Sequence, residues 1–511
     1  MAVARTRSVA LVGVTGRIVE VEADVGNGLA GIHLIGLPDA ALSEARDRVR
    51  SAVVNSNYPW PDARIIVSLF PASLPKRGSQ FDLAIAVSIM AAAGVVPAGR
   101  IAETFFLGEL GLDGRIRPVR GVLPSILGAA QHGDVTVVVP SANSAEAVLV
   151  PDVKVVPIAH LRQLVEWLRK GDEPPEPEID DCEDPPVPTT EPVADLADVV
   201  GQPVARRALE ICAAGGHNLW MLGPPGTGKT LLAERLPTLL PALELDHALE
   251  VTAIHSVAGL LPSNGPLMSR PPFVSPHHTA TAAAIIGGGS TTVRPGAVSL
   301  AHRGVLFMDE APEFPRHVLD SLRQPLESGR VTVSRSIGSV TFPARFMLVL
   351  AANPCPCAQA EDQGETCKCS PTIKRRYLGR LSGPLLDRVD MKVTVARSSR
   401  RELMADRQFV ETSKTVAERV QAARERATKR LADTPWRTNA EIPSSLLHSD
   451  YRPPSAAMKP MTSCLDSGTL TARGLDRVVR VSWTLADLAG KPSPGEEETT
   501  AALSFWLGVK S

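Results

Sequence analysis

The feature that most constrains this 511-residue chain is Gly223-Pro-Pro-Gly-Thr-Gly-Lys-Thr230, set between the apolar run Leu219-Trp-Met-Leu222 and the run Leu231-Leu-Ala-Glu-Arg-Leu236. An apolar run, a glycine-rich turn and an amphipathic run in that order require a strand that turns sharply into a helix, so this part of the chain is α/β. Gly223, Pro224, Pro225, Gly226, Thr227 and Gly228 form a turn whose backbone N–H groups can close around an anion at the helix start. Lys229 is then expected at the β- and γ-phosphates of a nucleotide and the Thr230 hydroxyl on Mg²⁺. The bland reading is a glycine-rich turn with an incidental lysine. The full motif in its required context outweighs it.

A second element belongs with the first. Gly304-Val-Leu-Phe-Met-Asp309-Glu310 is an apolar run ending in two carboxylates. Such acids emerge at a strand's C-terminal end, where α/β sheets bind ligands. Asp309 is expected in the Mg²⁺ shell, and Glu310 is expected to orient and deprotonate the attacking water. A third apolar run, Phe346-Met-Leu-Val-Leu-Ala-Ala-Asn353, ends in an amide that can reach the γ-phosphate or water. Two further segments, Gly383-Pro-Leu-Leu-Asp-Arg388 and Thr471-Ala-Arg473-Gly, offer arginines, and phosphoryl transfer needs cations supplied in cis or in trans.

Composition matters mainly for what it divides. Residues 171–192 carry nine Asp/Glu, seven Pro and no Lys or Arg, which predicts an extended acidic linker. The whole chain has a net charge of −1, so the remainder sums to +8, compatible with a polyanionic partner. Before the linker, residues 1–170 alternate strand-like and helix-like runs: strands at 10–14, 16–23, 63–69 and 135–140, helices at Asp39–Val54 and Phe81–Ala93. Residues 193–398 form the α/β nucleotide unit, and 399–511 read as helical, with charge-laced Val416–Leu431 and Gly474–Leu488. The longest apolar stretch, Leu83–Pro97, is shorter than the ~20 residues needed to span a bilayer and reads as a buried helix. With no signal-like segment after Met1, the expectation is a cytoplasmic protein with no membrane partner. Only 4% of residues are aromatic, which argues against a nucleic-acid site built on stacked bases.

Seven cysteines are too few for a disulfide scaffold, yet four of them, Cys355, Cys357, Cys367 and Cys369, are clustered. Four thiolates on two close pairs can hold tetrahedral Zn²⁺, although C-x-C is tighter than the usual C-x₂₋₄-C. Four free thiols in a loop remain the alternative.

The order of these motifs is familiar. Residues 193–490 resemble the AAA+ ATPases of the magnesium-chelatase-like group, and nearly the whole chain resembles the ComM/YifB family. The resemblance rests on Gly215-Gly-His-Asn-Leu219, the phosphate loop, His277–Gly289, Arg294–His302, Asp309–Phe314, Leu322–Arg330, Ala351–Cys357 and Ser382–Asp390. It implies an AAA+ P-loop core with a C-terminal helical lid. It also implies ATP and Mg²⁺ as cofactors, Asn353 as sensor 1, Arg388 as an arginine finger acting in trans, and Arg473 as sensor 2 reaching the site of its own subunit. A trans-acting finger implies a ring, expected to be a hexamer. His277–Gly289 matches the helix-2 insert and residues 330–343 the pre-sensor-1 hairpin, both pore-facing in related rings. Arg330, Arg335 and Arg345 lie on or beside that hairpin and are candidates for DNA phosphate contacts, though solvent-facing arginines on a ribbon are as common.

Residues 1–170 resemble a Lon-protease-type mixed α/β domain. Gln80 occupies the nucleophilic serine's position, Ser79 is one residue off, and Leu123 or its neighbour stands where the lysine belongs. A Ser–Lys dyad needs the amine as base, so a non-catalytic domain is expected. The resemblance thus implies an ATP-driven DNA motor of helicase or branch-migration type, serving recombination or transformation. The alternatives are a magnesium-chelatase motor subunit, a Lon-like protease and a nucleotide-switched scaffold.

Overall fold

Alternating burial builds the first sheet. In the strand Thr15–Gly26, Val19, Val21 and Ala23 are buried while the residues between them are partly exposed. This strand pairs antiparallel with Ala2–Val12 on one side and Arg64–Phe70 on the other. The full order across seven strands is Gly31–Ile35, Arg64–Phe70, Thr15–Gly26, Ala2–Val12, Thr104–Phe106, Val135–Pro140 and Val153–Ile158. The helix Asp82–Ala92 buries every residue but Ala91, as its unbroken apolar run predicts. Asp82 is fully buried on this helix and accepts from Arg48 Nε at 2.8 Å and Nη2 at 3.1 Å. Burial nevertheless pushes its carboxyl up to about 6.

This computed structural model describes residues 2–36, 44–76, 78–171, 194–262, 266–289, 293–335, 338–357, 367, 369–406 and 409–510. Most of the expected acidic linker lies outside them. The expected helix Asp39–Val54 is observed as Ala45–Asn55, with 37–43 also outside the described residues. Strands Gly31–Ile35, Thr104–Phe106 and Val153–Ile158, six residues at most, are additions to the strands expected from the sequence.

Contacts divide the chain into two compact units, residues 1–189 with 246–268 and 289–295, and residues 190–245 with 269–288 and 296–511. The first unit therefore recruits most of the helix Leu245–Ala258, far along the chain. Ala253 joins the core of Val122, Leu123 and Ile126, and Ser256 Oγ donates to the buried Glu146 carboxylate. A contiguous unit from residue 193 could not have supplied these partners.

The second unit is a parallel sheet in the order Phe273–Val274, Val305–Met308, Met347–Ala352, Leu219–Leu222, Met391–Thr394 and Val509–Lys510. Val305–Met308 and Met347–Ala352 are buried throughout, as both faces of a parallel sheet require. The helices Ser413–Arg430, Ala472–Ala489 and Glu496–Leu507 share one core with the sheet, through Val420, Val479 and Phe505 against Val349 and Val393. The fold is mixed α/β with a parallel core and a helix-rich C-terminal region, as the sequence predicts.

Candidate functional site

Parallel register brings the three key strand ends to one edge of the second sheet. Leu222 faces Ala352 and Met308 faces Leu350, so Gly223, Asp309 and Asn353 leave the sheet side by side. Gly223 packs so closely that a Cβ there would meet the Val395 carbonyl oxygen at 2.2 Å. Gly228, at φ +84°, takes the left-handed turn that starts the helix Lys229–Arg235. Thr227 Oγ1 donates to the Pro224 carbonyl at 2.9 Å and closes the loop.

Lys229 is buried, and its three ammonium protons are all placed: on the carbonyls of Gly223 at 2.7 Å and Pro224 at 2.8 Å, and on Asn353 Oδ1 at 3.1 Å. Burial lowers its pKa, and Asp309 and Glu310 oppose that shift. Thr230 Oγ1 donates to Asp309 Oδ2 at 2.8 Å. Glu310 is exposed and its backbone is left-handed at φ +49°, a costly conformation for a residue with a Cβ. Its own N–H donates to Asp309 Oδ1 at 2.8 Å, which fixes the carboxyl end of the turn. The structure thus gathers Lys229, Thr230, Asp309, Glu310 and Asn353 into one locus. Its donor set fits a Mg²⁺-bound triphosphate: a cation and loop amides for the phosphates, a hydroxyl and a carboxylate for the metal.

His278 was not read as part of this site. Its Nδ1 lies 3.6 Å from Glu310 Oε2, and its ring stands edge-on to Phe314 at 6.5 Å. Across the same turn, Arg380 Nη1 donates to the Pro312 carbonyl at 3.0 Å and Glu313 Oε2 at 3.1 Å. Buried Tyr377, three residues earlier, has its hydroxyl pushed up to about 12 by burial and by Glu313 and Glu310. These contacts join segments distant in sequence, so spacing gave no signal for them.

The arginines sit elsewhere. Arg388 precedes the strand Met391–Thr394, and its carbonyl accepts from Asn218 Nδ2 at 2.9 Å, just before the phosphate-loop strand begins. It is therefore at the opposite edge of the sheet from Lys229, a strand of four residues or about 13 Å away. Arg473 was expected at the phosphates of its own subunit; it is found instead beside Asp387, with Nη1 to Oδ2 at 3.6 Å. The helix that carries it packs on the entry side of the sheet, where Arg477 Nη1 donates to Asp390 Oδ1 at 2.9 Å. Arg388 is bound by Glu327 and the Pro384 carbonyl, and burial together with Arg473, Arg477 and Arg323 lowers its pKa. Arg477 follows Arg473 by one helical turn, a spacing that puts both on one face and could have flagged it.

Residues Arg330–Arg335 and Gly338–Pro343 form the expected antiparallel ribbon. Val331, Val333 and Phe342 are buried, while Arg330 is exposed. Arg345 follows the ribbon and pairs with Glu441 Oε1 at 3.5 Å. The Arg335 side chain lies outside the described residues. In the first unit, Ser79 Oγ is bonded to Glu109, Gln80 Nε2 donates to the Val9 carbonyl at 2.8 Å, and Leu123 is buried. Lys76, the lysine of that stretch, is bonded to the Pro71 carbonyl. The four clustered thiols do converge: Cys355 Sγ lies 3.1 Å from Cys357 Sγ and 3.4 Å from Cys367 Sγ, and the four sulfurs, Cys369 included, all fall within 4.8 Å of one another. Among the described residues no helix is long and apolar enough to cross a membrane.

Comparison with known proteins identifies the family. Residues 195–403 match the model of magnesium chelatase, subunit ChlI, residues 21–143 that of subunit ChlI of Mg-chelatase, and residues 410–506 its C-terminal region. The chain is 53% identical to Rv2897c of Mycobacterium tuberculosis over 505 residues, 99% of each chain. It is 39% identical to competence protein ComM of Haemophilus influenzae over 510 residues, 100% of this chain and 98% of that one. Similarity to the magnesium-chelatase 38 kDa subunit of Rhodobacter capsulatus is 32% over 180 residues, 32% of this chain and 51% of that one. The phosphate loop, the acidic strand end and full-length similarity together show that the chain belongs to the ComM/YifB family of magnesium-chelatase-like AAA+ ATPases.

Proposed function

We propose that the protein is an ATP-hydrolysing ring, a hexamer, that moves DNA in helicase or branch-migration work of the recombination and transformation type. The observation that carries this reading is the split of hydrolytic groups between two edges of one sheet. Lys229, Asp309, Glu310 and Asn353 share one edge, whereas Arg388 and Arg473 share the other. A surface that presents one half of a site on each side joins head to tail, and such contacts close into rings.

ATP is the substrate. Lys229 exchanges its loop carbonyls for the β- and γ-phosphates, and Gly223–Gly228 cradle them. Thr230 and Asp309 would hold Mg²⁺, and the ion when bound would offset phosphate charge. Glu310 orients the attacking water and accepts its proton, and Asn353 steadies the same water or the γ-phosphate. Arg388 and Arg473 of a neighbouring subunit meet the charge that grows on the transferred group. Arg330, Arg335 and Arg345 supply phosphate contacts to DNA along the ribbon. The first unit acts without catalysis, its Ser79 facing an acid where a protease needs an amine. The protein works in the cytoplasm.

Full-length similarity to ComM, against a third of the chain for the chelatase subunit, supports DNA over a porphyrin as the object moved. ATP turnover measured with and without forked, single-stranded and duplex DNA tests the reading. Stimulation that fades with rising salt supports it. Stimulation by chelatase partners alone, or tight binding with no turnover, replaces it with the chelatase or the scaffold reading.

A further inference from the structure

The four thiols stand at a junction that the nucleotide site depends on. The central strand Met347–Ala352 runs into Asn353, whose Oδ1 accepts from Lys229 at 3.1 Å, and Cys355 follows two residues later, buried. On the far side of the cluster, Cys369 precedes Ser370, which caps the helix Pro371–Leu378 with its side chain accepting from the Ile373 N–H. That helix carries the buried Tyr377, and Arg380 just beyond it bonds the Pro312 carbonyl and Glu313, on the turn that begins at Glu310. The cluster is therefore the link between the Asn353 strand end and the helix that braces the Glu310 turn.

Its geometry is that of a closed metal site. Cys357 and Cys367 sulfurs are 3.5 Å apart, and all six pairs lie within 4.8 Å. A tetrahedral ion with Zn–S near 2.3 Å separates its sulfurs by about 3.8 Å, inside that limit. All four cysteines are free, so no disulfide accounts for the convergence. Four soft sulfur donors with no carboxylate or imidazole among them select zinc over hard cations and leave no open position for catalysis.

We propose that one Zn²⁺ is bound by Cys355, Cys357, Cys367 and Cys369, and that this metal staple positions Asn353 and the Glu310 turn for hydrolysis without touching the nucleotide. The effect on hydrolysis rests on the ATPase reading above; the metal site does not. Outer elements that orient a reacting group typically change activity by about ten- to a hundredfold when lost. The staple should therefore govern the rate of cleavage and leave ATP affinity nearly intact.

The test begins with metal content of the full chain, purified under reducing conditions and measured by mass spectrometry of the elements. One zinc per chain is expected, with loss of that zinc in Cys357→Ser and Cys369→Ser, which spare the buried Cys355. Titration of metal-free wild type with Co²⁺ should give the visible spectrum of a tetrahedral tetrathiolate at one ion per chain, a readout that needs no variant to fold. Absence of zinc together with no such spectrum overturns the site, as does stoichiometric iron. For the staple, zinc-free protein should bind a fluorescent ATP analogue as wild type does while turnover falls at least about tenfold. Wild-type turnover in zinc-free protein overturns the positioning role even if the metal is present. If wild type itself turns over no ATP, the ATPase reading fails and the metal count still stands or falls alone.

Discussion

Exchanging Glu310 for glutamine separates binding from chemistry at this site. The side chain touches neither Lys229 nor Thr230: its described partner is His278 Nδ1 at 3.6 Å, and the turn is held by its backbone N–H on Asp309 at 2.8 Å. Glutamine keeps the chain length and the backbone N–H, so the phosphate cradle stays as built. What disappears is the one oxygen charged to take a proton from water. Loss of a general base slows a reaction by about 10²–10⁴-fold. At about 1.4 kcal/mol per tenfold, that raises the barrier by ~3–5 kcal/mol. Glu310→Gln should bind ATP within about threefold of wild type, since no phosphate-binding hydrogen bond is lost. Lys229→Ala gives the reverse signature, because it removes the buried cation that three acceptors now hold. Fluorescent-nucleotide binding and phosphate release, run side by side on both variants, read the difference. Wild-type turnover in Glu310→Gln would refute its role as base.

Further predictions concern the surroundings. His278→Ala should lower kcat by about tenfold with KM for ATP unchanged, because the ring acts through Glu310 and reaches no phosphate ligand; steady-state kinetics decide, and a shift in KM alone contradicts it. Gly223→Ala forces a Cβ against the Val395 carbonyl oxygen, a backbone atom that cannot step aside, and should cost about 1–3 kcal/mol in denaturant titration. Buried His217, bonded to Thr484 Oγ1 at 2.7 Å, has its pKa lowered to about 4 by burial. The unfolded chain takes up that proton below about 6.5 and the folded one only near 4, so stability should fall by up to ~3 kcal/mol as pH drops between those values. A denaturation midpoint whose pH slope is the same in His217→Gln contradicts that assignment.

What the sequence made legible follows from what is local. The phosphate loop and the Asp309–Glu310 strand end are contiguous motifs whose chemistry dictates their residues, and both stand where their strands end. Asn353 was legible as an amide at a strand end that could reach the γ-phosphate; its bond to Lys229 comes from sheet order, which no short window contains. Arg473 shows the limit most clearly. Its helix was recognised, but the face of the sheet that the helix packs on decides which subunit's phosphates it can approach. The placement of the helix Leu245–Ala258 is hidden for the same reason: it follows the phosphate loop in sequence, yet its buried partners Leu123 and Glu146 lie over a hundred residues upstream. Convergence of two C-x-C pairs was open from spacing alone and is closed by the sulfur positions.

The most direct test of a shared site mixes two inactive proteins, Lys229→Ala and Arg388→Ala, in equal amounts and follows ATP turnover. With random assembly, about a quarter of the seams in such rings pair an intact phosphate loop with an intact finger, because each half comes from a different subunit. Recovery of about that fraction of wild-type turnover is expected, and the same when Arg473→Ala replaces Arg388→Ala. Mixed rings that assemble yet stay inactive would show that every group acts within its own chain, and the seam would have to be abandoned.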